Sequence, residues 1–277
     1  MQNRVLGRTG RQVSEISCGT YKTFDVAGSS GQAKVVKLMQ ANLELDINLF
    51  DSAPMYGQSE SNIGQALGSG KLKEMDKAWV ATKLLQPDVA GAKQQIAHSF
   101  SVIGGRIDLL QIHNMAGWRE ILPYLAELKT QGKIRATGVT HYDPGAFGEI
   151  EAAMRTGLAD VIQIPWNLME RTVEKRLIPL ARDLNLGVLV MTPICPLFSR
   201  TGLLAKLQQV DLAPWRSLGV TDAGSLCLKY LLSKHVTAVL LPATSRLERV
   251  QSNAAVSGTP PLPADDLRKL EKLFGAG

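Results

Sequence analysis

The 277-residue sequence is poor in cysteine and has no long apolar run. Its three cysteines, Cys18, Cys195 and Cys227, are odd in number and far apart, which argues against a disulfide framework and favours reduced thiols in a cytoplasmic setting. No apolar segment is long enough to span a bilayer, and the first residues lack the apolar core of a signal peptide. We therefore expect a cytoplasmic protein with no membrane partner.

Metal ligands and nucleic-acid contacts are also missing from the pattern. The four histidines fall on different predicted elements, and no metal-ligand spacing links them to the cysteines. The formal net charge is +6, but lysine and arginine are scattered, with no basic run and no interleaved aromatic residues. We expect no bound metal and no nucleic-acid partner. The positive charge instead suits a solvated surface and a field around a site for an anionic small molecule.

Short apolar runs alternate regularly with helical patterns along the whole chain. Eight runs of three to six residues are predicted to be strands, and most are followed by an amphipathic or apolar helix. Such an alternation without a linker predicts one domain, residues 1–277, in the α/β class with a (β/α)8 TIM barrel. Residues 4–20 predict an N-terminal β-hairpin before the first barrel strand. Residues 193–219 are expected to be irregular, and residues 265–274 form an extra C-terminal helix.

The segment from Leu49 to Gly57 contains the first candidate site residues. Asp51 stands where a predicted strand ends, Pro54 stops regular structure, and Tyr56 precedes a glycine turn. A carboxylate and a phenol at the rim of a strand are well placed to meet a ligand. Taken alone, the segment fits a helix-capping aspartate and a surface tyrosine somewhat better.

Two later residues strengthen the interpretation as a site. Lys83 follows the predicted strand 78–82, and His113 follows the predicted strand 107–112. In a parallel barrel these strand ends lie on one face, so the side chains of Asp51, Tyr56, Lys83 and His113 can converge. A nearby ammonium lowers the pKa of a phenol, a carboxylate holds the lysine charged, and a histidine can orient a carbonyl oxygen.

Several short motifs recur in one order over almost the whole chain. They are Phe50-Asp51-Ser52-Ala53 with Tyr56-Gly57, Ala81-Thr82-Lys83, Asp108-Leu109-Leu110-Gln111-Ile112-His113, Gly132-Lys133-Ile134-Arg135 leading into Gly138-Val139, Gln163 in Ile162-Gln163-Ile164-Pro165, and Leu241-Pro242 followed by Arg249 and Asn253. On this ordered set the sequence resembles the aldo-keto reductases. The resemblance implies a (β/α)8 barrel, a nicotinamide cofactor and a carbonyl substrate. It also implies that Tyr56 is the proton donor, with Asp51, Lys83 and His113 as its supporting residues.

The segment after the last strand is the candidate site for the adenosine end of the cofactor. Ser245 with Glu248 fits a capping box, so a helix should begin there and favour an anion at its N-terminus. Two arginines in its first turn oppose the helix dipole unless an anion lies between them, although they also fit plain surface residues. By resemblance, Arg249 and Asn253 hold the adenosine, with Arg249 near a 2′-phosphate. This favours NADPH over NADH, and we expect contacts from Thr244, Ser245, Arg246, Arg249 and Asn253.

One departure from the family pattern bears on the coenzyme. Many NADPH-dependent members carry a lysine two positions before Ser245, where this chain has Ala243. Arg246 is the candidate to replace its charge. The expected preference for NADPH therefore depends on whether Arg246 supplies the charge that Ala243 lacks.

The nicotinamide end is assigned by resemblance as well. Family members use a Ser-Asn pair after strand five, where this chain has Thr140-His141, and a glutamine in strand six, here Gln163. Many members also stack an aromatic residue on the ring after strand seven, and this chain offers none. Thr192 or Ile194 is expected to cover that face. The full set of expected contacts at this end is Gly19, Thr20, Tyr21, Asp51, Thr140, His141, Gln163, Thr192, Pro193 and Ile194.

The substrate pocket is expected beside Tyr56. Its predicted lining residues are Tyr21, Met55, Met115, Trp118 and Trp166. Ordinary packing is the alternative for each apolar member. The sequence stops soon after the predicted terminal helix, whereas some family members shape the pocket with a long C-terminal loop, so we expect an open pocket.

These observations predict an NADPH-dependent oxidoreductase that reduces an aldehyde or ketone to an alcohol, as a monomer or weak homo-oligomer. Two alternatives stay open. A lysine at a barrel strand end also suits a Schiff-base aldolase using Lys83, although Arg249 and Gln163 would then be unexplained. A cofactor-binding regulatory subunit with the same fold is the other alternative, because such subunits can retain the four site residues.

Overall fold

The computed structural model describes residues 1–196, 206–207, 209–234 and 236–275. Part of the predicted irregular stretch 193–219, as well as His235, lies outside these ranges. Within residues 209–234, a 3-10 helix, Ala213–Leu218, occupies the end of that stretch.

A small antiparallel hairpin closes one end of a barrel. Its strands are β1 (Asn3–Val5) and β2 (Gln12–Ser14), and their register pairs Arg4 with Val13. Leu6 and Val13 are buried together with the inward side chains at the N-terminal ends of the barrel strands. The predicted N-terminal hairpin is therefore present, and it fills the end of the barrel opposite the predicted site.

Eight parallel strands form the barrel itself. They are β3 (Cys18–Gly19), β4 (Leu49–Asp51), β5 (Trp79–Leu84), β6 (Leu109–His113), β7 (Ala136–Thr140), β8 (Val161–Pro165), β9 (Gly187–Met191) and β10 (Ala238–Leu240). Each strand pairs in parallel with the next in sequence. Bridges from Ile16 to Leu240 and from Gly19 to Ala243 join the last strand to the first. The predicted (β/α)8 architecture is confirmed.

The helices lie outside the sheet and bury one apolar face against it. They are α1 (Gly28–Glu44), α2 (Ser59–Gly68), α3 (Val89–Ile103), α4 (Trp118–Thr130), α5 (Phe147–Arg155), α6 (Leu177–Asp183), α7 (Ala223–Leu232), α8 (Leu247–Ala254) and the terminal α9 (Ala264–Phe274). None of the helices in the described ranges has the length and apolar character needed to cross a bilayer.

Three helix starts differ from the sequence-based prediction. The helical spacing of the apolar residues in 172–185 predicts one helix there. In the structure a 3-10 turn, Thr172–Lys175, is separated from α6 by Arg176 at φ −140°. The reason is Pro179, which has no N–H to donate to the carbonyl four residues earlier and whose ring clashes with it.

The other two differences concern capping side chains. The sequence predicts a helix over 221–233 with Thr221 as its cap. In the structure this helix, α7, is capped by Asp222 instead. The Asp222 carboxylate accepts from the Ser225 N–H at 2.7 Å, and the Ser225 hydroxyl accepts from the Asp222 N–H at 2.9 Å. The predicted Ser245–Glu248 capping box is wrong, because α8 begins one residue later and its N-cap, Arg246, makes no side-chain capping bond to any described residue.

Strand side chains alternate between two buried layers, and this alternation sets up the site. In β6, Leu110 and Ile112 face outward into the core beneath the helices, whereas Leu109 belongs to the interior of the barrel. Because successive strand residues point to opposite faces, Gln111 and His113 share the inward face with Leu109. The interior is therefore apolar at the hairpin end and polar at the other end.

Candidate functional site

Polar side chains occupy inward positions near the C-terminal ends of five neighbouring strands. They come from β4, β5, β6, β7 and β8, and they are Asp51, Lys83, Gln111, His113, Thr140 and Gln163. The prediction that Asp51, Lys83 and His113 share one face of the barrel agrees with this placement. Asp51 and His113 are the last residues of β4 and β6, and Lys83 is the penultimate residue of β5. Within the described part of the chain, no group of His, Cys, Asp and Glu is arranged to hold a metal ion.

Asp51 is the centre of a buried hydrogen-bond network. The Lys83 ammonium donates to Asp51 Oδ2 at 2.7 Å and to the main-chain oxygen of Ser52 at 2.7 Å. The Gln163 amide donates to the same Oδ2 at 3.0 Å, and the Gln111 amide donates to Oδ1 at 3.1 Å. Both carboxylate oxygens are thus satisfied, as a buried charge requires.

The Lys83 charge is retained despite its burial. Burial alone would lower the pKa of Lys83, but the negative charge of Asp51 and the nearby Tyr56 outweigh it, and the pKa lies above its ordinary value. An ammonium that is held charged in a dry interior acts as a strong local field, because few waters screen it.

Tyr56 lies in the loop after β4, above this ion pair. The Lys83 nitrogen is 5.1 Å from the centre of the Tyr56 ring, and the rings of Tyr21 and His113 are 5.0 and 6.3 Å away. Burial raises the pKa of the Tyr56 phenol, Lys83 acts to lower it, and Asp51 raises it again. The phenol is therefore protonated at neutral pH, with a cation beside it that stabilises the phenolate formed when its proton leaves.

His113 is a neutral imidazole at the same end of the barrel. Burial lowers the pKa of His113 to about 4, and the positive charges of Lys83 and His141 act in the same direction. Its Nδ1 is buried and has no hydrogen-bond partner among the described residues. A neutral imidazole can donate one hydrogen bond to a carbonyl oxygen without carrying a charge.

Unpaired polar atoms lie beside Gln163. Thr140 and Gln163 are direct partners in the β7–β8 register. The Gln163 Oε1, the Thr140 Oγ1 and the Thr192 Oγ1 are buried without partners in the part of the chain that the structure describes. A primary carboxamide carries two N–H donors and one acceptor oxygen, which match this set. These predicted residues therefore fit the carboxamide of a nicotinamide.

Three predicted cofactor contacts, Gly19, Thr20 and Tyr21, lie at the C-terminal end of β3. The Gly19 N–H donates to the main-chain oxygen of Pro242 at 3.0 Å, which ties the first strand to the last. The Thr20 hydroxyl donates to the main-chain oxygen of Asp51 at 2.9 Å. Thr20 therefore holds the position of Asp51 through its backbone, and Tyr21 next to it extends to the rim beside Tyr56.

The loops after β7 and β9 contain the other predicted contacts. The His141 Nδ1 accepts from the Asp143 N–H at 2.9 Å, and its ring stacks on Tyr142. Pro193 is buried and Ile194 is half-buried. The His141 ring is thus oriented by its own loop, and its Nε2 has no hydrogen-bond partner within the described ranges.

The segment predicted to hold the adenosine is open to solvent. Ser245, Arg246 and Arg249 are exposed, whereas Asn253 is buried. The Thr244 hydroxyl accepts from the Arg246 N–H at 3.2 Å, and the Arg246 guanidinium lies 3.6 Å from a carboxylate oxygen of Glu248. Helix α8 thus presents arginines at its first turn with weak local pairing, which suits a phosphate.

Two lysines in the same region were not predicted. A cavity of about 360 Å³ is lined by Ser245 and Arg246 on one side and by Lys34 and Lys37 of α1 on the other. In sequence these lysines belong to an ordinary amphipathic helix, and only the packing of α1 beside α8 brings them to this cavity.

The predicted pocket residues divide into two groups. Tyr21 is 37% exposed and Met55 is 55% exposed, so both are open to a ligand near Tyr56. Met115 and Trp118 are buried, and the Trp118 indole donates to Glu149 of α5. Trp166 is 1% exposed and its indole donates to Glu174, so it packs in the interior and offers no surface to a substrate. The prediction for Trp166 therefore needs correction, because its ring packs in the buried layer between the strands and the helices.

Sequence comparison decides the family once this geometry is known. Residues 15–274 match the Aldo/keto reductase family. The chain belongs to the aldo/keto reductase family. Membership of this family of nicotinamide-dependent oxidoreductases confirms the resemblance that the ordered motifs predicted.

Individual members of the aldo/keto reductase family are distant relatives. The chain is 28% identical over 232 residues to an NADH-specific methylglyoxal reductase of Escherichia coli, which covers 70% of this chain and 68% of the relative. It is 25% identical over 284 residues to the methylglyoxal reductase YeaE of Escherichia coli, covering 100% and 96% of the two chains. With the aldo-keto reductase YhdN of Bacillus subtilis it shares 27% identity over 210 residues, covering 70% of this chain and 62% of the relative.

Solved structures of aldo-keto reductases have the same fold. A Klebsiella pneumoniae aldo/keto reductase in complex with NADP and acetate superposes with a TM-score of 0.82 at 21% identity, covering 99% of this chain and 96% of the other. The holo form of a Bacillus halodurans aldo-keto reductase superposes with a TM-score of 0.79 at 25% identity, covering 100% and 97%.

One contributor to the aldo-keto reductase site was missed from the sequence. Gln111 was part of a matched motif but was not singled out, although it donates to Asp51. The available signal was a single amide in an otherwise apolar strand, two residues before His113 and therefore on the same face.

Proposed function

We propose that this chain reduces an aldehyde or ketone to an alcohol with NADPH, with Tyr56 as the proton donor. The observation that carries the proposal is the Lys83 ammonium, which is paired with Asp51 at 2.7 Å and lies 5.1 Å from the Tyr56 ring centre. A bound nicotinamide would supply the hydride. The residues of the chain then supply the proton and hold the carbonyl in place.

Proton donation follows from the charges around Tyr56. As hydride reaches the carbonyl carbon, negative charge develops on the oxygen and makes it a base. The Tyr56 phenol gives its proton to that oxygen, and the resulting phenolate is stabilised by Lys83. Asp51 keeps Lys83 charged throughout, and the glutamine amides keep Asp51 in one orientation.

His113 is proposed to orient the carbonyl. Its ring meets the Tyr56 ring edge-on at 6.3 Å, so both side chains border the same space. With a pKa of about 4, it stays neutral in the physiological range. A neutral donor directs a hydrogen bond at the carbonyl oxygen without competing with Tyr56 as the acid.

The coenzyme is proposed to be NADPH in preference to NADH. Exposed Arg246 and Arg249 at the start of α8, with Lys34 and Lys37 across the cavity, offer positive charge for a 2′-phosphate. The Klebsiella neighbour carries NADP, whereas the Escherichia coli relative is NADH-specific. Ala243 is exposed and supplies no charge, so the surrounding cations would have to do this work.

The substrate class proposed is small carbonyl compounds. Two relatives are methylglyoxal reductases, and exposed Tyr21 and Met55 leave the rim beside Tyr56 open. Methylglyoxal, which carries an aldehyde next to a ketone, is therefore the first substrate to test. A cytoplasmic, single-domain protein that is monomeric or weakly associated is the form in which we expect this activity.

The Schiff-base alternative is disfavoured by the state of Lys83. An aldolase lysine must lose its proton to attack a carbonyl, and such lysines have a lowered pKa. Lys83 has a raised pKa and donates to Asp51 and Ser52. An ammonium that is charged and donates two hydrogen bonds has no lone pair with which to attack a carbonyl carbon.

The test is NADPH consumption with methylglyoxal and other aldehydes, in the wild type and in Tyr56→Phe. We expect turnover in the wild type and loss of at least about a hundredfold in the variant, the size of a general-acid contribution. NADPH binding, followed by fluorescence, should be nearly unchanged. Loss of both binding and turnover in Tyr56→Phe would contradict a role as donor. Tight NADPH binding with no turnover on any carbonyl would favour the regulatory-subunit alternative.

A further inference from the structure

Gln111 is a fully buried amide in the middle of the barrel. It lies on β6, directly beside Lys83 in the β5–β6 register and beside Gly138 in the β6–β7 register. It has no exposed surface, and its neighbours along the strand, Leu110 and Ile112, are apolar. A buried amide loses its hydrogen bonds to water, and its burial costs free energy unless neighbouring groups replace those hydrogen bonds.

The amide has one possible orientation toward Asp51. The carboxylate that is paired with Lys83 only accepts hydrogen bonds. The amide nitrogen of Gln111 must therefore face Asp51 Oδ1, at 3.1 Å, and its oxygen faces away. That oxygen is buried and has no partner within the described ranges. Gln111 thus directs one N–H donor at Asp51, while its own acceptor oxygen stays unpaired within the described ranges.

Gly138 provides the space for the Gln111 side chain. A Cβ at Gly138 would lie 2.8 Å from Gln111 Cγ, which is closer than real side chains allow. The φ of Gly138 is not in the left-handed region, so the backbone does not demand a glycine. The missing side chain is therefore needed for room, and the room is used by Gln111.

The two oxygens of Asp51 have different partners. Oδ2 accepts from Lys83 and Gln163, whereas Oδ1 accepts from Gln111. Without a donor at Oδ1, only Lys83 and Gln163 at Oδ2 would hold the carboxylate, which could then rotate and bring both oxygens to Lys83. The ammonium would then be shared between both carboxylate oxygens and directed away from Tyr56.

We propose that Gln111 is a positioning residue for the reductase reaction: its amide fixes the rotation of the Asp51 carboxylate, so that Lys83 keeps its charge directed at Tyr56. This inference rests on the proposed function, in which Tyr56 is the proton donor. Gly138 belongs to the same arrangement because it leaves the room that Gln111 occupies. Neither residue touches the substrate.

The consequence concerns the acidity of Tyr56. The groups that face it are Lys83, Asp51, Tyr21 and His113. Of these, Lys83 favours the phenolate and Asp51 disfavours it. A Lys83 ammonium that is shared between both Asp51 oxygens weakens the first effect and leaves the second, so loss of the Gln111 donor makes Tyr56 less acidic.

The first variant is Gln111→Met, which keeps the length of the side chain and removes the donor. In the direction of alcohol oxidation, where the phenolate is the base, the alkaline rise of kcat should move up by about 0.5 unit or more, the size of one hydrogen bond. At a fixed pH below that rise, kcat should fall at least about threefold, with the NADP dissociation constant unchanged. Leu109→Met, on the same strand and face, is the control for a general change of packing and should leave the pH profile in place.

The second variant is Gln111→Glu, which rescues the donor only in its protonated form. A carboxyl group beside Asp51 keeps its proton to higher pH than usual, because two adjacent carboxylates disfavour double ionisation. Turnover should therefore be retained at low pH and lost as the new carboxyl ionises. A purely structural role would give no such pH-dependent rescue, and absence of this new limb would count against the proposal.

A double-mutant cycle with Gly138→Ala gives the decisive result. In the parent, the new methyl group should displace Gln111 and reproduce most of the Gln111→Met defect. In a Gln111→Ala background there is no Cγ to displace, so Gly138→Ala should have little further effect. Equal losses of kcat in the two backgrounds would overturn the proposal, because the methyl group would then act through Val161 or Leu109 instead.

A readout that needs no turnover separates this inference from the proposed function. The buried Lys83 ammonium should give an observable ¹⁵N NMR signal at neutral pH, assigned with Lys83→Met. Gln111→Met and Gly138→Ala should shift that signal, and Gly138→Ala should not shift it in the Gln111→Ala background. If the signal behaves in this way but no carbonyl is reduced, the arrangement stands and the proposed reaction fails. An unshifted signal in Gln111→Met would refute the positioning role even in an active enzyme.

Discussion

The Lys83 ammonium lies 5.1 Å from the centre of the Tyr56 ring while it forms a 2.7 Å ion pair with Asp51. The lysine therefore serves two neighbours at once. It neutralises the buried carboxylate of Asp51. It also lowers the pKa of the Tyr56 phenol and so opposes the rise that burial causes. The charge of Lys83 is for this reason expected to matter more for the chemistry than for binding.

Replacement of Lys83 by methionine tests this expectation. Tyr56 would lose the cation that stabilises its phenolate, and we expect kcat for carbonyl reduction to fall by about 10²–10⁴-fold. Lys129→Met is the matched control, because Lys129 also pairs with an aspartate, Asp160, at 2.7 Å, but lies far from Tyr56. Steady-state kinetics with circular dichroism as a check on folding would decide. A Lys83→Met variant that is folded and retains a tenth of kcat would contradict the role.

The state of His113 predicts how stability depends on pH. The pKa of an unfolded histidine is about 6.5, whereas burial lowers the pKa of folded His113 to about 4. Between these pH values the unfolded chain binds one more proton than the folded chain, so the free energy of unfolding should fall as the pH is lowered from about 6.5 toward 4. Urea unfolding at several pH values would show this fall. It should be smaller in His113→Asn, and equal slopes in both proteins would be evidence for an ordinary, exposed histidine.

Arg249→Ala should separate the two coenzymes. If Arg249 pairs with the 2′-phosphate, its loss removes a charge-assisted hydrogen bond, and the Kd for NADPH should rise by about tenfold or more. NADH lacks that phosphate, so its Kd should stay the same. Arg268→Ala is the control, since Arg268 is also exposed, on α9, and pairs locally with Asp265. Fluorescence titration of each coenzyme measures both constants, and a parallel weakening of NADPH and NADH would rule out phosphate recognition by Arg249.

Cys18 and Cys227 are expected to be chemically inert in the folded protein. Burial raises the pKa of Cys18 to about 12, with Asp51 adding to the effect, and burial likewise raises the pKa of Cys227. The thiolate is the reactive form, so alkylation at pH 8 should leave both unmodified until the protein is unfolded. Peptide mass mapping after brief iodoacetamide treatment measures this. Native modification of Cys18 at the rate of a free thiol would show that the barrel opens there.

Asp222→Ala should destabilise the fold through the loss of a helix cap. The capping box with Ser225 satisfies backbone N–H groups at the start of α7, and loss of such a cap costs about 1 kcal/mol, or about 2–4 °C in Tm. Thr221→Ala is the matched control. It is one residue away and exposed, and it should change stability by less than about 0.5 kcal/mol. Thermal unfolding of the two variants compares them directly, and equal effects would argue against the cap.

The sequence was informative where a position along a strand is enough to place a side chain. Asp51, Lys83 and His113 all stand at the C-terminal ends of apolar runs, and a parallel barrel brings such ends to one face. The alternation of runs and helices likewise predicted the barrel, because each run is too short and too apolar to be anything but a covered strand. Chain order and local pattern were sufficient for these conclusions.

Other features depended on contacts between distant parts of the chain. Trp166 directly follows a strand, yet its ring packs between the strands and the helices, where the indole donates to Glu174. Lys34 and Lys37 look like ordinary surface residues until α1 is packed beside α8. The break between the 3-10 turn and α6 was visible in principle, because Pro179 disfavours a continuous helix. The choice of Asp222 over Thr221 as a cap required the backbone conformation itself.

The sequence by itself determined the barrel, the family, and Tyr56 with the three candidate residues around it, because these depend on residue type and order along the chain. Only the tertiary structure decided what surrounds Asp51. Gln111, Gly138 and Gln163 come from three different strands. Whether a glutamine amide donates a hydrogen bond to Asp51 depends on distances across the barrel. Side-chain hydrogen bonds act over about 3 Å, a scale that no pattern of residue types along one strand can specify.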